Sequence, residues 1–235
     1  MGGIGVALRS LGYDVSRAFD SWAQAVAVYN HNFGEGSAEV CNLLSSSGRT
    51  RVVDTAKELG EIELLAAGPP CKGFSRLRNG HHDGRNGHNR VLMVIPDYIG
   101  ILRPRMFVIE NVPDLIRHRQ GLTIAEVVRR LRAPVDGLCY TVKYETYDAA
   151  QFGTPQARRR VLIFGVRSGE ALTLPVAGPD LTALYSALRH SGPVPKELSE
   201  YRAALRDPED STLTTARQAL SDLPILGPGS LADEA

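Results

Sequence analysis

Residues Ile62–Cys71 read IELLAAGPPC. A continuous apolar run that ends in Gly-Pro-Pro is typical of a parallel strand that is buried on both faces. The proline-stiffened turn places Cys71 directly after the carboxyl end of that strand, where open α/β sheets hold their active sites. We therefore predict an α/β fold in which this turn belongs to the functional site.

Strand and helix signals alternate on both sides of this stretch. Besides Ile62–Ala67, the patterns predict strands at Val15–Phe19, Met106–Ile109, Tyr140–Tyr147 near a sheet edge, and Val161–Val166. A first helix is predicted after a Ser21 cap, and the residues that share its apolar face are Trp22, Ala25, Val26, Tyr29 and Phe33. A second helix is predicted at Val91–Leu102, where Pro96 should kink it or mark its start. A third is predicted at Ile124–Leu131. This alternation predicts a Rossmann-like, mostly parallel sheet with helices on both faces.

The composition excludes several classes of protein. The 235 residues are 43% hydrophobic and 23% charged, which is ordinary for a globular domain. No apolar run approaches the roughly 18–20 residues that span a bilayer, and no signal-peptide pattern opens the chain. The net charge of +1 gives no whole-molecule argument for a polyanionic partner.

The three cysteines are too few and too widely spaced for a disulfide framework or a zinc site, which favours a reducing compartment. Cys41 and Cys139 lie in apolar stretches and are interpreted as inert buried thiols. Cys71 is different, because Lys72, Arg76 and Arg78 can lower the pKa of its thiol and make it a nucleophile. An inert buried cysteine is the alternative, and the Pro-Pro-Cys setting argues against it.

Two further clusters point to the same edge of the sheet. Glu110 follows the predicted strand Met106–Ile109 and can act there as an acid or a hydrogen-bond donor, although a salt-bridged strand-end carboxylate is an equal alternative. Arg158 and Arg160 precede the last strand and share a face if the chain is extended, so two guanidinium groups can point into one site. Arginine tracts are more often solvated, and this one is weak evidence alone.

Together the segments GPPCKGFS (68–75), ENV (110–112) and QARRR (156–160) resemble the cytosine carbon-5 methyltransferases. The resemblance runs in family order from Gly2 to about Pro224 and implies a class I methyltransferase core that binds S-adenosyl-L-methionine. The cofactor-binding positions that it implies are Gly2, Gly3, Asp20, Trp22, Asn42, Leu43, Gly68 and Pro70. No metal is implied, and the histidines at 81, 82 and 88 have a glycine-laden spacing that disfavours a metal site.

The resemblance also implies a catalytic role for four residues. The Cys71 thiolate adds to carbon 6 of cytosine, Glu110 engages ring nitrogen 3, and Arg158 and Arg160 steady the base oxygen and the adjacent backbone. Asn111 is expected to hold the Pro-Cys loop. The substrate is double-stranded DNA, from which the target base must be flipped out at a cost of roughly a few kcal/mol.

The stretch from Lys72 to Arg90 carries a local positive charge that the net charge conceals. Only Asp83 is acidic there, and the positive side chains, which can contact phosphates, are Lys72, Arg76, Arg78, Arg85 and Arg90. The sequence also departs from the family pattern at three positions. Asn42 stands where Asp is usual, Glu63 replaces an Asp, and Lys72 replaces the commoner Gln.

The organisation along the chain predicts a cofactor-binding catalytic core at residues 1–170 and a connector at 171–235 that leads to a target-recognition domain beyond the chain. The first strand is expected upstream of Met1. A second chain can supply the recognition domain and the C-terminal motifs. The alternatives are an inactive truncated fragment that binds DNA or a partner, and a transfer-RNA cytosine-5 methyltransferase. We expect a cytoplasmic, nucleoid-associated protein without membrane contact and, at the family level, a role in restriction–modification.

Overall fold

The computed structural model describes residues 2–70, 87–152, 154 and 156–176, with the backbone alone at 87–89. The chain divides into two compact units. The first comprises Met1–Glu145 and Val161–Leu174, and the second comprises Thr146–Arg160 and Pro175–Ala235. The predicted boundary near residue 170 stays a prediction, because the residues from 177 on lie outside the described ranges.

The first unit begins with a small parallel sheet. Helix α1 (Gly3–Ser10) is followed by β1 (Ala18–Asp20), α2 (Ala23–Phe33), β2 (Ala38–Val40) and α3 (Ser46–Leu59). Strand β1 pairs with β2 in parallel, and Asp20 lies opposite Val40. The carboxyl ends of both strands therefore meet at one edge of this sheet.

A four-stranded sheet follows, with the strand order β3-β4-β6-β5. Its strands are β3 (Leu64–Ala67), β4 (Met106–Asn111), β5 (Tyr140–Asp148) and β6 (Arg159–Arg167), and its helices are α4 (Gly87–Leu102), α5 (Asp114–Arg117) and α6 (Leu122–Arg132). Strand β3 is parallel to β4, whereas β6 is antiparallel to β4. The predicted α/β alternation is confirmed, and β5 lies at the sheet edge as expected.

The core of this sheet is formed by β4 and β6 with α4 and α6. Phe107 and Ile109 of β4 and Ile163 of β6 are at most 1% exposed. The helices contribute fully buried side chains to the same cluster, among them Leu92, Ile99, Val127 and Leu131. Gly165 of β6 lies directly opposite Phe107, and its lack of a side chain leaves room for the ring of Phe107.

Several boundaries differ from the sequence prediction. Strand β1 covers Ala18–Asp20, later than the predicted Val15–Phe19. Ser21 does not cap α2, because Trp22 occupies the N-cap position and makes no capping hydrogen bond through its side chain. Pro96 lies inside α4 and does not begin it. Strand β4 extends through Glu110 and Asn111, because their backbones remain paired with Leu162 and Val161 of β6.

Burial also differs at two places. The four residues of β3 are all half-buried, whereas a strand buried on both faces was predicted. Cys41 is buried as expected, but Cys139 is exposed, because it precedes β5 outside the apolar cluster. Within the described ranges, no helix is long and apolar enough to cross a bilayer.

The described part of the second unit runs from the end of β5 to the start of β6 and also includes Pro175 and Val176. Residues Ala149–Phe152 form a 3₁₀ turn. Tyr147 packs edge-on against Phe152, with ring centres 5.6 Å apart, and its hydroxyl donates to the carbonyl of Pro175 at 3.1 Å. An aromatic contact and a hydrogen bond from a side chain to the main chain therefore fix this segment.

Candidate active site

The turn before Cys71 lies beside the end of β4. The parallel register pairs Ala67 with Ile109, so the next residues along each strand, Gly68 and Glu110, are neighbours. A Cβ atom at Gly68 would lie 4.0 Å from Oε2 of Glu110. The half-buried carboxylate of Glu110 is thus held at the start of the Gly-Pro-Pro turn.

Asn111 ties the same turn to β4. Its side chain is 1% exposed, and its Nδ2 donates to the carbonyl oxygen of Pro69 at 3.3 Å. Its Oδ1 accepts from the backbone N–H of Val112 at 2.9 Å. A buried amide that satisfies both of its polar ends fixes the local backbone, which supports the positioning role predicted for Asn111.

Cys71 and the basic run that follows it lie outside the described residues, as do the histidines at 81 and 82. Of the five predicted cations, the structure describes only Arg90, which is exposed near the start of α4. The nucleophile and its electrostatic surroundings therefore stay predictions. Gly68 and Pro70, predicted to contact the cofactor, are both exposed on either side of the buried Pro69.

A second cluster of predicted residues meets at the edge of the β1–β2 sheet. The Oδ1 of Asp20 accepts from the backbone N–H of Trp22 at 2.8 Å, and the carbonyl of Asp20 accepts from the N–H of Cys41. Cys41 immediately precedes Asn42 and Leu43, so the structure brings all four predicted positions to one edge. The Asp20 carboxylate is exposed, and the Trp22 side chain is 55% exposed.

The chemistry of this cluster fits the nucleoside part of S-adenosylmethionine. An exposed carboxylate can accept from both ribose hydroxyls, and an exposed indole offers a face on which adenine can stack. The Oδ1 of Asn42 accepts from the N–H of Leu44 at 3.0 Å and retains a second lone pair for an amino group.

The Asn42–Gly48 segment is held by several hydrogen bonds. Ser45 caps α3 by accepting from the N–H of Gly48, and its hydroxyl donates to the carbonyl of Asn42. Gly48 comes so close to Asn42 that a Cβ atom there would overlap the Asn42 carbonyl. The backbone conformation of the segment that carries Asn42 is therefore fixed by contacts among its own residues.

Tyr98 of α4 anchors this segment from outside. Its hydroxyl donates to the carbonyl of Leu43 at 2.5 Å, and its side chain is 5% exposed. Burial raises the pKa of Tyr98, and burial likewise raises the pKa of the nearby Cys41 thiol, so both groups stay protonated at neutral pH. Cys41 is therefore a structural thiol, as predicted.

Gly2 and Gly3 lie at the start of α1. Gly2 has a φ of 105° and packs against Tyr29 and Phe33 in the second half of α2. Trp22, in contrast, precedes the first turn of α2. The contacts that fix Gly2 thus do not involve the Asp20–Trp22 cluster, and a role for Gly2 and Gly3 in cofactor binding stays a prediction.

Arg158 and Arg160 belong to the second unit, whereas Glu110 belongs to the first. Arg158 is exposed and precedes β6, and Arg160 is half-buried within β6. The backbone N–H of Arg158 donates to Oδ1 of Asp148 at 2.9 Å. The structure therefore describes how Arg158 is held, while its convergence with Glu110 on one base stays a prediction.

Sequence reasoning did not single out Tyr98 or Asp148. Tyr98 lies in the apolar pattern of α4, where an aromatic residue indicates only core packing. Asp148 ends a strand, where an acidic residue usually meets solvent. The partner of Tyr98 lies 55 positions away in the sequence, and the partners of Asp148 are backbone N–H groups. No local sequence pattern therefore indicates either role.

Comparison with known proteins places the chain in a family. A sequence model described as "C-5 cytosine-specific DNA methylase" matches residues 1–224. The chain is 29% identical over 224 residues to the type II methyltransferase M.AgeI of Thalassovita gelatinovora, covering 95% of this chain and 49% of that protein. It is 33% identical to the type II methyltransferase M.AquIA of a Picosynechococcus strain, over 49% of this chain and 48% of that one.

Solved structures show the same fold. A putative DNA modification methyltransferase encoded within an E. coli prophage superposes with a TM-score of 0.64 at 21% identity, covering 95% of this chain and 53% of that chain. The Dnmt2 methyltransferase of S. pombe superposes with a TM-score of 0.51 at 20% identity, over 73% of this chain and 48% of that one. The chain spans about half the length of M.AgeI, as it does of both solved structures. Because the family model extends over most of its residues, the chain belongs to the C-5 cytosine-specific DNA methylase family.

Proposed function

We propose that this chain carries the catalytic half of an enzyme that transfers a methyl group from S-adenosylmethionine to carbon 5 of cytosine in DNA. The observation that carries the proposal is the contact between the end of β4 and the Gly-Pro-Pro turn. Glu110 lies beside Gly68, and Asn111 holds the carbonyl of Pro69, two residues before Cys71. An acid and a nucleophile on neighbouring strand ends are what addition to a cytosine ring requires.

The reaction begins with the nucleophile. Carbon 5 of cytosine is unreactive until the Cys71 thiolate forms a bond to carbon 6, which moves electron density onto carbon 5 and nitrogen 3. Glu110 hydrogen-bonds to nitrogen 3 and stabilises the charge that develops there. Once carbon 5 carries the transferred methyl group, loss of its proton to solvent and departure of the thiolate regenerate the aromatic ring and the free enzyme.

The cofactor residues hold the nucleoside part in place during this step. Asp20 binds the ribose hydroxyls, Trp22 stacks on adenine, and Asn42 accepts from the adenine amino group. When bound, S-adenosylmethionine supplies an electrophilic methyl group to the activated carbon. Arg158 and Arg160 steady the base oxygen and the adjacent phosphate, where guanidinium groups form charge-assisted hydrogen bonds.

Covalent trapping tests this proposal. DNA that contains 5-fluorocytosine cannot lose the substituent at carbon 5, so it remains bonded to the thiol after methyl transfer. We expect an adduct that survives denaturing electrophoresis, requires S-adenosylmethionine and disappears in Cys71→Ser. Glu110→Gln should slow its formation by about 100-fold, within the usual contribution of a general acid. An adduct formed equally by Cys71→Ser would disprove the proposed nucleophile.

A second candidate is a subunit that acts only with a partner chain. Its support is that this chain matches only 49% of M.AgeI. The trapping assay is therefore run with and without the part of M.AgeI that this chain does not match. An adduct that forms only when that half is present identifies a subunit. Competition between DNA and transfer RNA in the same assay shows which of the two nucleic acids is the substrate.

A further inference from the structure

Asp148 is a buried carboxylate that the proposed chemistry does not use directly. Its residue is 5% exposed, and its Oδ1 accepts from two backbone N–H groups, that of Ala150 at 3.2 Å and that of Arg158 at 2.9 Å. Removing a carboxylate from water is costly unless hydrogen bonds compensate for the lost hydration. This placement is therefore maintained by the main chain around it.

The same short segment holds Arg158 from its other side. The backbone N–H of Ala149 donates to the carbonyl of Arg158 at 3.1 Å. Adjacent residues 148 and 149 thus bind both polar groups of the Arg158 main chain. Fixing the N–H and the carbonyl of one residue fixes the direction of its Cα–Cβ bond, and so the direction in which its side chain leaves the backbone.

The 3₁₀ turn Ala149–Phe152 also holds Asp148 in place by hydrogen bonding. The backbone N–H of Asp148 donates to Oε1 of Gln151 at 2.9 Å, and Ala150 is itself 4% exposed. The carbonyl of Ala149 accepts from Thr154 at 3.3 Å. Asp148 is therefore the point where the turn after β5 and the segment before β6 are joined.

We propose that Asp148 is a positioning residue for Arg158, which aims the guanidinium group at the flipped base or its phosphate. The inference rests on the proposed function, because it assigns Asp148 a role through Arg158 in that reaction. An acceptor at position 148 is sufficient for this role, so Asp148→Asn retains it and Asp148→Ala loses it.

The test compares Asp148→Ala, Asp148→Asn, Arg158→Ala and the double variant Asp148→Ala/Arg158→Ala in the 5-fluorocytosine trapping assay, in the presence of the part of M.AgeI that this chain does not match. Asp136→Ala, at an exposed position between α6 and β5, is the matched control. We expect Asp148→Ala to slow trapping by about 10- to 100-fold, the size of effect that a 1 Å misplacement produces. Asp148→Asn and Asp136→Ala should stay within about twofold of the parent chain, because each keeps the acceptor at position 148.

The double variant separates positioning from a general loss of structure. If Asp148 acts through Arg158, the double variant is no slower than Arg158→Ala, because the group being aimed is already gone. Additive effects in the double variant, or an Asp148→Asn as slow as Asp148→Ala, would overturn the inference. Amide hydrogen exchange provides a readout that does not depend on activity, with protection at Arg158 lost in Asp148→Ala and kept in Asp148→Asn.

Failure of the proposed function has a different signature. If the parent chain forms no adduct even with the unmatched part of M.AgeI present, the proposed function fails and the role of Asp148 in it fails too. If the parent chain forms the adduct and Asp148→Ala forms it equally fast, only the positioning role is overturned.

Discussion

Asn111 is the residue that joins β4 to the turn before Cys71. Asn111→Asp would place an acceptor-only carboxylate against the carbonyl of Pro69, where the amide now donates. We expect Asn111→Asp to lower the free energy of unfolding by about 3–5 kcal/mol, the cost of an uncompensated buried charge. Asn111→Ala should cost about 1–3 kcal/mol. Urea unfolding followed by circular dichroism measures both, and equal costs would contradict the described contact.

Gly165 shows how one residue sets the packing of two strands. A Cβ atom there would overlap the ring of Phe107, which is 1% exposed. We expect Gly165→Ala to destabilise the chain by about 1–3 kcal/mol, as overpacking does. Phe107→Leu should relieve part of this cost, so the double variant should be more stable than the sum of the two single costs predicts. Strict additivity in thermal unfolding would show that the two side chains do not compete for space.

Helix α4 contains Pro96 and is bound to the neighbouring helix α6 through polar groups. Pro96 has no N–H, which removes the backbone hydrogen bond to the carbonyl of Leu92. Arg130 of α6 donates to the next carbonyl, that of Met93, and its Nη2 lies 2.7 Å from the carboxylate of Asp97. The contact between α4 and α6 is thus polar as well as apolar.

Replacement of Arg130 tests this polar contact. We expect Arg130→Met to lower the free energy of unfolding by about 1–3 kcal/mol, since the apolar side chain loses both hydrogen bonds to α4. Arg129→Met is the matched control, because Arg129 is exposed and, among the described residues, pairs only with Glu126 one turn away. A chemical denaturation series should separate the two variants. If both cost the same, Arg130 contributes no more than a surface ion pair.

Strand β2 is bound to neighbouring residues by ion pairs of Glu39. Glu39 binds Arg51 of α3 through two hydrogen bonds, at 2.6 and 2.7 Å, and Arg17 at 2.5 Å. The hydrogen bond from Arg51 is the main cause that lowers the pKa of Glu39 below its ordinary value of 4.5. A lowered pKa stabilises the folded chain at every pH above the ordinary pKa of the group. This stabilisation is lost as the pH falls through the lower pKa that Glu39 has in the folded chain.

The pH dependence can be measured against a variant without the charge. Glu39→Gln should be less stable than the parent chain by up to about 1 kcal/mol at pH 7, because the pair is partly exposed. The difference should shrink as the pH falls below 4.5 and the parent Glu39 becomes protonated. A difference that grows on acidification would have the wrong sign for this ion pair.

At the scale of the whole molecule, cofactor binding should stabilise the fold. A ligand that binds only the folded state adds about 2.7 kcal/mol at 100 times its dissociation constant. We expect S-adenosylhomocysteine to raise the melting temperature and to alter the fluorescence of Trp22, the one tryptophan of the chain. Trp22→Ala should abolish the stabilisation, whereas Leu122→Ala, at another exposed apolar position, should preserve it. Equal stabilisation of both variants would exclude stacking on Trp22.

The strands with strong apolar runs were predictable from the sequence, and β3, β4 and β6 lie within a few residues of their predicted places. β2 is only three residues long and α3 has few apolar residues, so the sequence patterns predict neither of them. The end of β4 was misjudged because pairing with β6, far along the chain, extends it through Asn111. Local patterns report which residues avoid water, whereas strand ends depend on partners.

The family can be recognised from the sequence, through motifs whose order along the chain needs no coordinates. The α/β class follows from the sequence as well, because apolar periodicity is a local property. The contacts by which Asn111 holds Pro69, Tyr98 anchors Leu43, and Asp148 and Ala149 bind the main chain of Arg158 are visible in the structure alone. The first two contacts join residues more than 40 positions apart, and the last depends on a turn whose hydrogen bonds no side-chain pattern encodes. Such contacts depend on how the elements pack. The hydrophobic effect that drives packing is non-directional, whereas a hydrogen bond forms only where packing brings donor and acceptor to the right distance and angle.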